Sequence, residues 1–122
     1  MTYTPDRNEI VFIDFEPVKG KEIGKYRPAL VLSSKAYNSA TGLLICCPIS
    51  SSVRGGLLEV PINNIDKPYA VVANMIQTLS WRTRKAKFVA HAETGVMNQV
   101  YDRLLPIMGA QEYINSKVNE YD

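Results

Sequence analysis

The sequence predicts a small, mostly β domain with one helix near its C-terminus. Several short runs of β-branched and aromatic residues follow one another closely, and turn residues such as the pair Gly55–Gly56 separate them. Further along, Val96, Val100, Leu104 and Met108 recur at every fourth position, the spacing of an amphipathic helix. We therefore expect a small curled barrel with the helix packed on it, and the chain length of 122 residues indicates one domain.

The individual elements are predicted from apolar runs and the turn residues between them. Glu9–Phe15 is apolar on both faces, as expected of a strand buried on both sides. Proline favours extended backbone in the residue before it and tends to begin a strand, so Pro28 opens the second strand. Ser33 or Ser34 is a candidate cap for a helical turn. The other predictions are strands over residues 29–32, 43–49, 57–62, 69–76 and 87–91, a helical turn over 35–38, a turn or short helix over 78–84, and a helix over 93–108 that contains Pro106.

The domain is expected to span residues 1–110 and to be followed by a polar tail over residues 111–122. The tail lacks a strong apolar pattern, so it is either frayed or a weak helix. The chain carries a net charge of +2, and its last twelve residues carry −2. This basic bias is far from a strong nucleic-acid-binding signature, although a symmetric dimer would double it.

The cysteine pattern and the lack of long apolar runs exclude several classes of protein. Cys46 and Cys47 are adjacent in a predicted strand, so they should point to opposite faces and remain reduced thiols. One histidine and two neighbouring cysteines give no zinc-binding pattern, and we expect no metal and no cofactor. No signal-peptide pattern and no membrane-length apolar run is present, so a cytoplasmic protein without membrane association is expected.

Three sequence blocks resemble the MazF/PemK family of endoribonuclease toxins from type II toxin–antitoxin systems. They are residues 11–17 (VFIDFEP) with Gly20, residues 27–33 (RPALVLS) and residues 73–82 (ANMIQTLSWR). The resemblance implies an SH3-like barrel of the CcdB/MazF type that works as a homodimer. It also implies a cognate antitoxin protein as partner, and single-stranded RNA, in particular mRNA, as substrate.

The resemblance further implies sequence-selective RNA cleavage without a metal. The ribose 2′-hydroxyl attacks the neighbouring phosphorus and leaves a 2′,3′-cyclic phosphate, or a 3′-phosphate, and a 5′-hydroxyl. The catalytic candidates are Arg27, whose planar guanidinium matches a phosphate, Ser50, whose hydroxyl supports it, and Glu22, a base or a loop residue. Ser50 stands where relatives usually carry threonine, and Ser51 and Ser52 are neighbouring hydroxyls that leave the assignment open by one position.

The candidate RNA-binding residues combine cations with hydrogen-bonding side chains. Asn74 and Gln77 replace an acid and a cation that many relatives carry, so we expect weaker dependence on this segment or a different base preference. Both side chains can still hydrogen-bond a base edge. The RNA-binding candidates are Lys25, Ser51, Asn74, Gln77, Thr78, Arg82 and Arg84.

The sequence leaves alternatives open for several of these residues and for the function. Arg27 has a purely structural alternative, an ion pair at the start of a strand. Trp81 is more typical of core or dimer packing than of base stacking, and His91 of a capping or surface position. For the whole chain, the alternatives are a CcdB-like toxin that binds gyrase without hydrolysis and an inactive binding module of the same fold.

Overall fold

The computed structural model describes residues 3–16, 20 and 24–120. In that part of the chain, a curled antiparallel sheet carries three helices. The elements are β1 Glu9–Asp14, β2 Tyr26–Val31, α1 Lys35–Thr41, β3 Leu43–Ser50, β4 Glu59–Ile62, β5 Tyr69–Val72, β6 Gln77–Ser80, β7 Lys87–His91, α2 Val96–Ile107 and α3 Ala110–Asn119.

The sheet is arranged around β3, which has two different partners on one of its sides. The strand order is β4-β5-β3-β2-β1-β7, and β6 also pairs with β3. The first half of β3, Leu43–Cys46, pairs with β6, and its last residues, Ile49 and Ser50, pair with β5. Pro48 lies between these two segments, where its missing N–H leaves no ladder hydrogen bond unmade. The change of partner lets the sheet divide and curl.

The sheet has an apolar core on each face. Ile10 and Cys47 belong to the core beneath α2, whereas Val11 and Cys46 belong to the core that contains Trp81. The predictions that the first strand is buried on both faces and that the two cysteines point to opposite faces are therefore confirmed. Trp81 is buried and its Nε1 donates a 2.9 Å hydrogen bond to the backbone of α1, which confirms core packing.

The two thiols should be unreactive in the folded protein. Cys46 and Cys47 are free and fully buried, and burial raises the pKa of both, that of Cys47 to about 12. Because the thiolate is the reactive form, we expect almost no labelling by Ellman's reagent at pH 8. In strong denaturant, two thiols per chain should react at once. Rapid native labelling would show that the core opens at both faces.

The helix α1 begins at Ser34, one of the two predicted caps. The Ser34 Oγ accepts a hydrogen bond from the Tyr37 N–H at 3.2 Å, and Gly42 ends the helix with a left-handed φ of 73°. Inside this helix, Asn38 is fully buried. Its side-chain NH₂ donates to the Pro5 carbonyl at 2.8 Å, and its Oδ1 accepts from the Ser33 hydroxyl at 2.6 Å.

The C-terminal helix is shorter than predicted, and a second helix follows it. Val96, Val100 and Leu104 are buried along α2, as the spacing predicts, but Met108 is exposed. The helix begins at Val96 instead of residue 93, because Gly95 with φ 92° precedes it and supplies no side-chain cap. The predicted tail contains the helix α3, which has no buried residue.

Two predictions in the middle of the chain are wrong. The strand expected over residues 69–76 ends at Val72, and the turn or helix expected from Thr78 begins instead with the strand β6. Residues 77–80 form a strand because they pair with the otherwise unpaired edge of Leu43–Cys46. Local sequence does not encode a pairing between residues so distant in the chain. The strand β4 also begins later than expected, at Glu59, and β2 begins earlier, at Tyr26.

His91 lies at the surface, as predicted, with its side chain 71% exposed and its Nε2 3.9 Å from a Glu9 carboxylate oxygen. None of the described helices has the length and apolar character needed to cross a membrane.

Candidate active site

The candidate site lies where β2 and β3 stop pairing. The ladder between them runs from the pair Val31–Cys46 to the pair Ala29–Pro48. The next residue of β2 is Pro28, which has no N–H to donate toward β3, so the ladder ends there. Continuing the same register would place Arg27 opposite Ser50, on one face of the sheet. The order of residues in the two strands thus brings the two principal catalytic candidates together.

A cleft of about 610 Å³ opens at this point. Cationic and hydroxyl-bearing residues line it together, from β2 and the residues before it and from the end of β3 and the loop after it. The lining residues are Gly24, Lys25, Arg27, Ser50, Ser51, Ser52, Arg54, Glu59, Val72 and Met75.

Arg27 is held in a fixed position within the cleft. It is half-buried, and its Nε donates a 2.6 Å hydrogen bond to the Gly24 carbonyl, which leaves its terminal nitrogens available to a ligand. Burial lowers the pKa of Arg27, and the Glu16 carboxylate opposes that shift, so the guanidinium remains charged at neutral pH. It forms no salt bridge with any carboxylate among the described residues.

Lys25 lies beside Arg27 in a left-handed backbone conformation with φ 75°, which is uncommon for a residue other than glycine. Two hydrogen bonds hold it there. Its N–H donates to the Glu16 carboxylate at 2.9 Å, and its carbonyl accepts from the Phe15 N–H at 2.9 Å. The segment before Arg27 is therefore fastened to the end of β1, which limits how far the guanidinium can move.

Ser50 ends β3, and its position is set by a local turn. Its Oγ accepts a 3.1 Å hydrogen bond from the Ser52 N–H, so its hydroxyl proton stays free to be donated. Ser51 also lines the cleft, but it contributes as well to a smaller adjoining cavity of about 210 Å³ beside Phe12 and Tyr26. Among the three serines, the strand register favours Ser50 as the partner of Arg27.

The predicted residues of the third sequence block, Asn74, Gln77 and Thr78, do not line the cleft. Asn74 is exposed in the turn after β5, and its neighbour Met75 lines the cleft instead. Gln77 pairs with Cys46 and so shares the face of Arg27, whereas Thr78 is directed to the other face. Their RNA contacts remain predictions.

The two predicted arginines that follow β6 have partners within the protein. The Arg82 guanidinium lies 4.9 Å from the centre of the Trp81 ring. Arg84 donates to the carbonyls of Asp14 and Glu16, at 3.0 and 2.7 Å, and so supports the end of β1, to which Lys25 is hydrogen-bonded. Their RNA contacts also remain predictions. The third catalytic candidate, Glu22, lies outside the described residues.

Sequence reasoning missed two charged cleft residues, Arg54 and Glu59. The available signal was the position of Arg54, four residues after Ser50 and directly before the glycine pair, in a loop that leaves the candidate strand. No group of three or more potential metal ligands occurs among the described residues.

The fold and the cleft together define a small curled-sheet protein whose cationic, hydroxyl-bearing site suits a phosphate ligand. The family described as PemK-like, MazF-like toxins of type II toxin–antitoxin systems matches residues 6–108, and this chain belongs to it.

Individual relatives agree with this assignment. The chain is 34% identical over 84 residues to the endoribonuclease toxin MazF of Escherichia coli K12, which covers 69% of this chain and 76% of the relative. It is 30% identical over 109 residues to the endoribonuclease toxin ChpB of the same strain, covering 84% and 93%. These similarities support endoribonuclease activity.

Solved structures show the same fold. A crystal structure of MazF from Deinococcus radiodurans is 38% identical, with a TM-score of 0.85, and covers 88% of this chain and 99% of that one. A MazE–MazF structure from the same organism has a TM-score of 0.78 at 38% identity and covers 88% and 98%. The predicted fold, mostly β and of the CcdB/MazF type, is thus confirmed.

Proposed function

We propose that this toxin-family protein is a metal-independent endoribonuclease that cleaves single-stranded RNA, in particular mRNA, at selected sequences. The observation that carries the proposal is the convergence of Arg27 and Ser50 on one face of one cleft. A guanidinium that is half-buried and already held can stabilise charge on a phosphoryl group without reorganising during the reaction.

The chemistry divides among few groups. The 2′-hydroxyl of the ribose gives up its proton to a base and attacks the adjacent phosphorus. The bond from phosphorus to the 5′-oxygen breaks, the 5′-oxygen takes up a proton, and a 2′,3′-cyclic phosphate forms. Arg27 binds the phosphoryl oxygens as their negative charge grows, and Ser50 donates a hydrogen bond to the same group. Arg27 is also proposed to donate a proton to the departing 5′-oxygen, because its guanidinium faces the same phosphoryl group. Glu22 is proposed as the base or as a loop residue that positions the RNA.

We further propose that the protein acts as a homodimer and is neutralised by a cognate antitoxin. Two solved relatives support the antitoxin, since one MazE–MazF structure from Deinococcus radiodurans and one mycobacterial endoribonuclease with its cognate antitoxin share this fold. A disordered antitoxin segment that folds onto the cleft would compete directly with RNA.

The test is a cleavage assay in the presence of a chelator. We expect the purified protein to cut a long single-stranded RNA in EDTA and to leave 5′-hydroxyl ends beside 2′,3′-cyclic phosphate or 3′-phosphate ends. Cleavage that requires a divalent cation, or that leaves 5′-phosphates, would contradict the mechanism. A protein that binds gyrase and leaves RNA intact would match the CcdB-like alternative.

Replacing Ser50 with alanine should slow cleavage by about tenfold, because one hydrogen bond to the charged transition state is lost. The matched control is Ser51→Ala, which removes a neighbouring hydroxyl and should change the rate less than about threefold. Single-turnover rates at saturating RNA are the measurement. A larger loss for Ser51→Ala than for Ser50→Ala would move the role by one residue.

A further inference from the structure

We propose that Glu59 is a positioning residue, and that it holds Arg54 in place as a second phosphate contact beside Arg27. This inference rests on the proposed function, since it concerns the same cleft. It gives a role to two cleft residues that the mechanism above does not use.

The carboxylate of Glu59 fastens an otherwise exposed loop. Residues 51–58 connect β3 to β4 without a helix or strand, and residues 51–57 are all exposed. Glu59 Oε1 accepts hydrogen bonds from the N–H groups of Arg54 and Gly55, at 3.0 and 2.9 Å. Glu59 itself is fixed in the sheet, where it pairs with Val72 of β5. The conformation of the loop at Arg54 is therefore coupled to a strand of the sheet.

Arg54 carries a positive charge, and the hydrogen bonds to Glu59 fix the backbone that bears it. Arg54 lines the cleft together with Arg27 and Ser50, and it forms no salt bridge within the described ranges. The guanidinium is thus available to a phosphate that neighbours the one bound by Arg27. A second contact of this kind tightens RNA binding and does little to the chemical step.

The negative charge of Glu59 allows a clear test, because repulsion and positioning predict opposite changes in RNA affinity when the residue is removed. A carboxylate in a cleft that binds RNA repels phosphates, so its removal should tighten binding unless the residue does something else. If Glu59 positions Arg54, its removal should weaken binding even though a negative charge is lost. Glutamine keeps an oxygen that can accept both N–H groups, so Glu59→Gln should retain the positioning.

The two glycines of the loop offer a matched pair of backbone variants. Gly55 has a left-handed φ of 70°, so a side chain there strains the turn, whereas Gly56 has no such conformation. A Cβ at either position meets no atom within 4 Å. Gly55→Ala should therefore disturb the loop without touching any side chain, and Gly56→Ala should not.

The experiment measures binding to a single-stranded RNA whose 2′-hydroxyls are replaced by fluorine, so that it cannot be cut. Fluorescence anisotropy of this RNA should show Arg54→Ala binding about tenfold more weakly, with a salt dependence reduced by about one ion. Glu59→Ala should also bind more weakly, and Glu59→Gln should bind at least as tightly as wild type. The double variant of Arg54→Ala and Glu59→Ala should bind no more weakly than Arg54→Ala alone.

Two further measurements complete the test. Gly55→Ala should reproduce the weakening seen with Glu59→Ala, and Gly56→Ala should match wild type. With unmodified RNA, Glu59→Ala should raise KM while leaving kcat within about threefold. Thermal unfolding establishes that each variant is folded. If Glu59→Ala is unfolded, the RNA affinity of Gly55→Ala tests the inference in its place.

Several results would overturn the inference. Binding by Glu59→Ala that equals or exceeds wild type would show that the carboxylate only repels RNA. A large loss of kcat in Glu59→Gln would indicate acid–base chemistry instead of positioning. Failure of the proposed function looks different: binding that depends on Arg54 and Glu59, without any cutting of unmodified RNA, would remove the ribonuclease mechanism and leave this inference standing.

Discussion

Arg27→Ala is expected to lower the single-turnover rate of RNA cleavage by about 10²–10³-fold, or about 3–4 kcal/mol of transition-state stabilisation. The guanidinium is half-buried, held by its 2.6 Å hydrogen bond to Gly24, and directed into the cleft opposite Ser50. Alanine removes the positive charge from the place where negative charge develops. Water that fills the space cannot replace it, because water must reorient as the charge grows.

The size and the kind of the loss can both be checked. Arg27→Lys retains the charge but loses the planar fork, so we expect a rate between those of wild type and Arg27→Ala. His91→Ala is the control, because His91 is exposed and belongs to neither the cleft nor its support. If Arg27→Ala cuts RNA at the wild-type rate, or if His91→Ala loses most of the activity, the proposed mechanism is wrong.

Asn38→Ala should produce the largest loss of stability, about 2–4 kcal/mol in the free energy of unfolding. Asn38 is fully buried, and its amide links α1 to the N-terminal segment through Pro5 and to the end of β2 through Ser33. Alanine would leave the Pro5 carbonyl and the Ser33 hydroxyl without this partner in a region that excludes water. Buried polar groups that lose a partner cost more than the hydrogen bond itself contributes.

The measurement is the urea midpoint of unfolding, followed by fluorescence of Trp81, whose indole donates to the backbone of Asn38. Asn98→Ala is the matched control, because Asn98 is an exposed residue of α2. That substitution should leave stability unchanged or raise it slightly through helix propensity. Equal midpoints for the two variants would show that the buried amide contributes nothing.

The elements that the sequence predicts well are those whose pattern is local. The consecutive apolar residues of β1 and the adjacent cysteines of β3 reveal a sheet with two buried faces, because side-chain direction alternates along a strand. The stripe of Val96, Val100 and Leu104 reveals α2 for the same kind of reason. By contrast, β6 exists because one edge of β3 is free to pair with it, and a partner so distant in the chain leaves no local signal.

The residues of the candidate site also differ in how far local sequence predicts them. Arg27 is identifiable because the proline that follows it constrains the backbone, and the family resemblance adds Ser50. The contribution of Glu59 depends on hydrogen bonds to backbone N–H groups four and five residues earlier. Such contacts form only when the loop has folded back onto β4, so no sequence motif predicts them.

Pro28 also has a consequence for the speed of recognition. Because Pro28 has no N–H to donate, the hydrogen-bonded ladder between β2 and β3 does not extend to Arg27. The protein therefore does not have to break strand pairing before RNA enters. Within the described residues, association should therefore include no step that separates β2 from β3, and electrostatic steering by the cations of the cleft should set its rate.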